Sequence, residues 1–380
     1  MNPPVISHAA GSPAADSSAG ERMRIAACIL YPFDMGLELD LSGQAAGALV
    51  AELADATAHA VAFEGVDLGP GKISGRIYRF GVGVIELQFE SDLTLDDCAR
   101  ISCLSERLLV DGELLSEVAE SIAREIMGRA RDFATYTYDL RLEDRELYPV
   151  FVLAEPPLES PESLIERQRR ALVGIVAAEP DYDRLSRYAL ERERLGNLGY
   201  FENDLVLVWR FGAVLATPEA KAIVDLLGLV LAQRWSLRSY DVVLDHELDQ
   251  AQRQLSDLPP YFRFWRMPGR YRDFSREAIA FARDKLTITA SMHSVSADVP
   301  LVESDWHMRA LYEHARVSFR VDALVRRGET KLDRVEAAYN SAREFLSTNF
   351  SILLDMIFLV FLIWSVLDTV LLALVAFRGR

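Results

Sequence analysis

Cysteine is scarce in this chain. Cys28, Cys98 and Cys103 are the whole set, an odd number with no CxxC pair, which excludes a disulfide framework and a cysteine-built zinc site. They read as three small buried hydrophobes. Basic charge is also in deficit. Forty-one Lys and Arg stand against 57 Asp and Glu, a net charge of −16, which argues against nucleic-acid binding by the chain as a whole. Residues 1–20 lack the apolar run of an export signal and hold no basic residue before Arg22. Rich in Ala, Ser, Gly and Pro, residues 1–22 read as a disordered tail and not as a presequence.

Catalytic motifs begin here and do not finish. GPGKIS, 69–74, offers the Lys72 of a phosphate loop, but Val66 stands where the first glycine belongs and Ile73 where Ser or Thr belongs. Gly81 and Gly83 open a dinucleotide fingerprint whose third glycine is replaced by Glu86; they are expected to serve a bulge or close packing. His246-Glu247 would need a histidine at 250, where Gln250 stands, so Asp245, His246, Glu247 and Asp249 read as a solvated helix face. His307 and His314, two helical turns apart, read as surface or interface histidines. No catalytic residue, cofactor site or metal ligand is assigned, and a non-enzymatic protein is expected.

What the chain does contain is a long apolar run. Phe350 to Phe377 spans 28 residues, and a hydrocarbon core of ~30 Å needs only about 20 in a helix. The length of the run and the apolar circumference of 356–367 together favour a membrane span over a buried core helix. The run predicts one C-terminal transmembrane anchor with the bulk of the chain cytoplasmic. Asp355 and Asp368 interrupt it. Asp355 falls at an interface, and Asp368 lies near the bilayer centre if the span is 356–377. There a carboxylate costs ~2.5–3.5 kcal/mol and must face other helices.

Half of all residues are apolar, enough for a sizeable core. Strands are predicted at 24–32, 76–90, 148–154 and 203–217. Helices are predicted at 42–56 with Ser42 as N-cap, near 94–110, 112–131 and 162–177, and at 218–255. PPLESP, 156–161, is a turn-rich boundary. RFGVG and RFGAV, beginning at Arg79 and Arg210, echo each other weakly. The division expected is a tail to 22, an α+β lobe at 23–155, a more helical lobe at 156–300, stalk helices at 301–349 and the anchor. Leu332, Val335, Tyr339, Ala342 and Leu346 recur at spacings of 3 and 4. That stripe serves either an oligomeric stalk or packing on the chain's own domain.

One soluble segment reverses the acidic background. YFRFWRMPGRYRDFSR, 261–276, sets Arg263, Arg266, Arg270, Arg272 and Arg276 among Trp265 and other aromatics. Arginine with aromatics suits an anionic lipid surface, RNA or a protein interface. Folding over the core, with the arginines paired to carboxylates, is the structural reading of the same residues.

The segment LYEHARVSFRVDALVRRGETKLDRVEAAY, 311–339, offers Leu311-Tyr312, Arg316, Val321, Leu324 and Lys331-Leu332-Asp333. Trp306 precedes it, and LAQRWSLRSYDVVLDHELDQ and YRFGVGVIEL lie upstream in the same order. With the terminal anchor, the stretch from about 75 to 375 resembles the RMND1, Rmd1 and Sad1-interacting-factor family, a domain of unknown function. The resemblance implies membrane anchoring and assembly into larger complexes. The family's mitochondrial member supports translation of organelle-encoded proteins, but no catalytic residues carry over. This chain departs from the family in lacking a mitochondrial presequence. It also has Gly328 where the family often has Asn, and a bend or break is expected there.

The sequence thus predicts an α+β soluble region with a helical second half, a long stalk helix and one C-terminal transmembrane helix. The function expected is a membrane-anchored scaffold or assembly factor acting as a homo-oligomer with an unidentified protein partner. The alternative is an oligomeric membrane ion pathway of CorA-like architecture, although the second membrane helix and Gly-Met-Asn signature of such channels are absent.

Overall fold

A computed structural model gives the fold. It describes residues 21–40, 57–138, 142, 144–155, 159–192, 195–256, 276, 285, 288–290, 292 and 305–378. The elements follow in order: β1 (Met23–Asp34), β2 (Leu37–Leu39), β3 (His59–Phe63), β4 (Val66–Tyr78), β5 (Val82–Leu93), α1 (Leu95–Cys103), β6 (Leu108–Val110) and β7 (Glu113–Leu114). Next come α2 (Leu115–Ala130), β8 (Ala134–Thr137), β9 (Tyr148–Leu153), α3 (Pro161–Arg167), α4 (Arg169–Ala177) and α5 (Arg187–Arg192). The chain continues with β10 (Leu205–Val208), β11 (Ala213–Ala216), α6 (Ala220–Ser256), α7 (Trp306–Ser318) and α8 (Val321–Arg378).

Nine strands form one sheet in the order β10-β11-β9-β1-β5-β4-β3-β6-β7, and β2 pairs with β8 apart from it. All pairs in the nine-stranded sheet are antiparallel except β9 with β11. Strand β1 is central and covered on both faces, so it reads as a nearly continuous apolar run. Ile25, Ile29, Ile85, Leu87 and Phe151 face a core shared with α1, α2 and α4. Cys28, Leu30, Val84, Tyr148 and Val150 face the opposite core, shared with α6, α7 and the first turns of α8. Trp235 of α6 is wholly buried in that second layer.

The expected α+β class, with helices dominating late and one long C-terminal helix, is what the structure shows. Several details differ. The turn-rich 156–161 does not end a separate sheet, because β10 and β11 join β9 in the same nine strands. The helices expected at 94–110 and 112–131 are interrupted by a hairpin. Asp111 (φ +52) and Gly112 (φ +86) make the two-residue turn between β6 and β7, the conformation for which Asp-Gly is best suited. The helix expected at 162–177 breaks at Gln168. The segment 311–339 is two helices, and the break falls at Arg320 (φ +58) and not at Gly328. Gly328 lies within α8, where an added Cβ would sit 2.5 Å from Met292 Cε. It permits close packing, not a bend. The helix expected at 42–56 and the tail at 1–20 fall outside the described residues.

The expected role of Gly81 and Gly83 holds. Gly81 (φ +78) closes the β4–β5 turn against the Leu37 carbonyl, which a Cβ would overlap, and Gly83 lies against the Phe33 ring. GPGKIS lies within β4. RFGVG and RFGAV both fall at hairpin turns, β4–β5 and β10–β11, so a shared turn requirement is enough to explain the echo.

Gly81→Ala meets both a left-handed φ and a backbone clash, and is expected to destabilise the fold by about 3 kcal/mol in chemical denaturation. Gly65→Ala is the control. Its φ is also left-handed (+83) but no atom lies within 4 Å, so about 1 kcal/mol is expected. Equal losses would show that the Leu37 contact does not constrain the turn.

Candidate functional site

Strand alternation builds an open cleft of about 930 Å³ on the sheet face toward α6. Even-numbered residues share that face through the register Cys28↔Gln88 and Lys72↔Gln88, and Leu30↔Glu86 and Ser74↔Glu86. At the Leu30 and Val84 end the face is apolar and covered by α6. Toward Arg24 and Glu90 it turns polar and the covering stops. Ala220, Lys221, Val224 and Asp225, at the start of α6, form one wall.

Charge in the cleft is mostly paired. Arg24 Nη2 donates to Glu90 Oε2 at 2.6 Å, and Arg76 pairs with Asp225 across the wall. Lys72 and Lys221 line it without an ion pair among the described residues. On the floor, Glu86 is buried and accepts from two neutral donors, Cys28 Sγ at 2.8 Å and Gln88 Nε2 at 2.6 Å. Burial first, then the adjacent Glu86 charge, pushes the Cys28 pKa well above a free thiol's. The sulfur is therefore a protonated donor, not a thiolate nucleophile. The arrangement suits binding, since the lysines present positive charge at the rim and Glu86 accepts hydrogen bonds on the floor.

The second feature is α8. Its window Leu354–Leu372 has mean hydropathy 2.1 and no buried share, making it the one helix among the described residues long and apolar enough to cross a membrane. Phe361 and Trp364 are 69% and 70% exposed. Asp355 lies at one end of that window, and Asp368 lies one turn from the other. Both are exposed. Beside Asp368, Thr369 Oγ1 donates to the Ser365 carbonyl at 2.8 Å.

The other residues singled out from the sequence are scattered. Leu332, Val335 and Tyr339 are buried in the chain's own core with Trp235 and Leu244 of α6, so of the two readings of that stripe the internal one accounts for them. The side chains of Ala342 and Leu346 lie outside the described residues, as do Arg263, Trp265, Arg266, Arg270 and Arg272. Asp245 is paired with Lys331 at 2.7 Å, and no group of His, Cys, Asp and Glu set to hold a metal occurs among the described residues. His307 and His314 each direct Nε2 at a carbonyl, of Leu198 (2.9 Å) and Val208 (3.1 Å). A carbonyl only accepts, so both rings carry a proton on Nε2 and pin α7 to β10 and to the chain before it.

Sequence reasoning missed the cleft. Its signal was present as period-two polarity, Lys72-Ser74-Arg76 and Glu86-Gln88-Glu90, but only the β4–β5 register shows that the two series oppose each other.

One family model matches, described as "Uncharacterized protein MJ0711, N-terminal domain", over residues 48–221. The match is to an uncharacterised family and covers less than half of the chain. It takes in β3 to β11 and the first two residues of α6, and so the cleft residues of β4 and β5 with Ala220 and Lys221, but not Val224, Asp225 or those of β1. No curated protein and no solved structure matches.

Cys28 should resist alkylation at pH 8 in the folded protein and react freely once it is unfolded. The sign for stability follows from the same shift. The folded state keeps the thiol proton that the unfolded state releases above its ordinary pKa near 9, so stability falls as pH rises beyond 9. Cys28→Ala should remove part of that alkaline loss in a melting series from pH 8 to 11. Rapid native labelling of Cys28 would contradict the buried Cys28–Glu86 bond.

Proposed function

We propose that this protein is a membrane-anchored, non-enzymatic scaffold or assembly factor that acts as a homo-oligomer. The observation that carries the reading is the continuity of α8. One helix of 58 residues begins in the core at Val321 and carries the exposed apolar stretch Leu354–Leu372. In water each large apolar side chain of that stretch forfeits ~1.5–3 kcal/mol of possible burial, a loss that a bilayer and neighbouring helices remove. The resemblance of 75–375 to the RMND1, Rmd1 and Sad1-interacting-factor family supports the same reading, because its members are anchored and assemble. Three unpaired thiols suit the reducing, cytoplasmic side. The arginine-rich segment 261–276 is then a contact for an anionic surface, and the cleft a contact for the partner.

Truncation after Thr348 should give a folded protein that stays in the supernatant, while the full chain sediments with membranes in high salt. Sedimentation of the truncated protein under those conditions would remove α8 as the anchor.

Asp368 separates the scaffold from an ion pathway, the second reading, which an exposed acid inside an apolar span favours. For a scaffold, Asp368→Leu loosens the oligomer seen by mass measurement in mild detergent and leaves insertion intact. For a pathway it abolishes ion flux into reconstituted vesicles. A strictly monomeric mass of the unaltered protein at all concentrations contradicts both.

A further inference from the structure

We propose a second binding site, for a soluble phosphate or phosphomonoester, where Arg210, Arg234, Arg238 and Arg320 converge beside Trp209. Three parts of the fold supply it. Arg234 and Arg238 project from α6. Arg210 sits in the β10–β11 turn, and Arg320 occupies the break between α7 and α8. The last two are brought together by a chain of contacts. The Phe319 ring packs edge-on against Tyr148 with centroids 5.1 Å apart, and the Tyr148 hydroxyl donates to the Trp209 carbonyl at 2.8 Å.

The acids described beside the cluster are already used. Glu146 accepts from Arg234 at 2.6 Å and from Arg238 at 3.1 Å, and Asp144 pairs with Arg238. Arg210 and Arg320 have no ion pair among the described residues. Arg210 Nε is buried without a hydrogen-bond partner, while its guanidinium lies 5.0 Å from the Phe211 ring centroid. Burial lowers the Arg210 pKa, and the nearby charges of Arg234 and Arg320 lower it further, against a smaller opposing effect from Glu146. In a chain of net charge −16, like charges held together this way, with Arg210 and Arg320 lacking a counter-charge among the described residues, suit a bound anion. Guanidinium forks match the paired oxygens of a phosphate.

Arg320 adds an independent sign. Its φ of +58 is a conformation that glycine adopts freely and that costs any other residue about 1 kcal/mol or more. The helix break needs only a glycine, so a side chain retained there is tolerated for what it does. The ligand is soluble and not a lipid headgroup. From Val321 to Leu354, α8 rises about 50 Å at 1.5 Å per residue, which holds the cluster away from the bilayer if Leu354–Leu372 crosses it.

The test uses the full chain in zwitterionic vesicles, with thermal melting followed against inorganic phosphate and against chloride at matched ionic strength. Phosphate should raise Tm saturably and chloride should not. Arg210→Gln and Arg320→Gly should each weaken the phosphate response at least tenfold. Arg320→Gly should do so with an unchanged or higher Tm in the absence of phosphate, because glycine relieves the backbone strain. A loss confined to folding stability would not show that pattern. A phosphate response no different from that of chloride, or one retained in both variants, overturns the proposal. So does an Arg320-dependent shift seen only in vesicles doped with phosphatidic acid, which would transfer the site to a lipid.

Discussion

The packing of α8 onto α6 is the contact on which the rest of the molecule depends. Helix α6 lies on the sheet through Trp235 and Tyr240, and Leu332, Val335 and Tyr339 of α8 close the same core from outside. Lys331 fixes the axial register, reaching Asp241 at 2.6 Å and Asp245 at 2.7 Å. Lys331 and Asp241 are largely buried and Asp245 is exposed, so desolvation and solvent offset much of the attraction; the ion pairs select a register more than they add stability, while apolar burial supplies the energy. Because α8 does not break after leaving the core, whatever holds its first turns also aims its last ones.

The same layer decides where polar groups can gather. Helix α6 crosses the sheet face without covering all of it, and where its coverage ends the even-numbered positions of β1, β4 and β5 change from apolar to charged. At its middle α6 carries Arg234 and Arg238 to Glu146, just before β9. One helix therefore borders both the cleft and the arginine cluster.

Local signals were legible in the sequence. Short apolar, β-rich runs announced β1, β5 and β9, and helical periodicity announced α6 and α8. The Asp111-Gly112 pair falls at the boundary expected between the helices at 94–110 and 112–131, but the strands flanking it, of three and two residues, are too short to carry a pattern of their own. The parallel pairing of β9 with β11 was not legible, because about sixty residues separate the partners and register is set by the assembled sheet. Nor was the break at Arg320, since a left-handed arginine leaves no glycine or proline to mark it. The clustering of four arginines from distant segments depends on both of these, and so lay beyond the reach of spacing arguments.

Between Tyr339, the last residue of α8 described as buried, and Leu354 runs a stretch of helix about 22 Å long at 1.5 Å per residue. Such a stretch is a spacer with an angular setting as well as a length. Each residue inserted there turns everything beyond it by ~100° about the helix axis, so the globular part would meet its neighbours with a different face. A four-residue insertion adds ~6 Å but turns the part by only ~40°. The spacing of this segment is therefore a phase, and evolution can lengthen it by whole turns far more easily than by single residues.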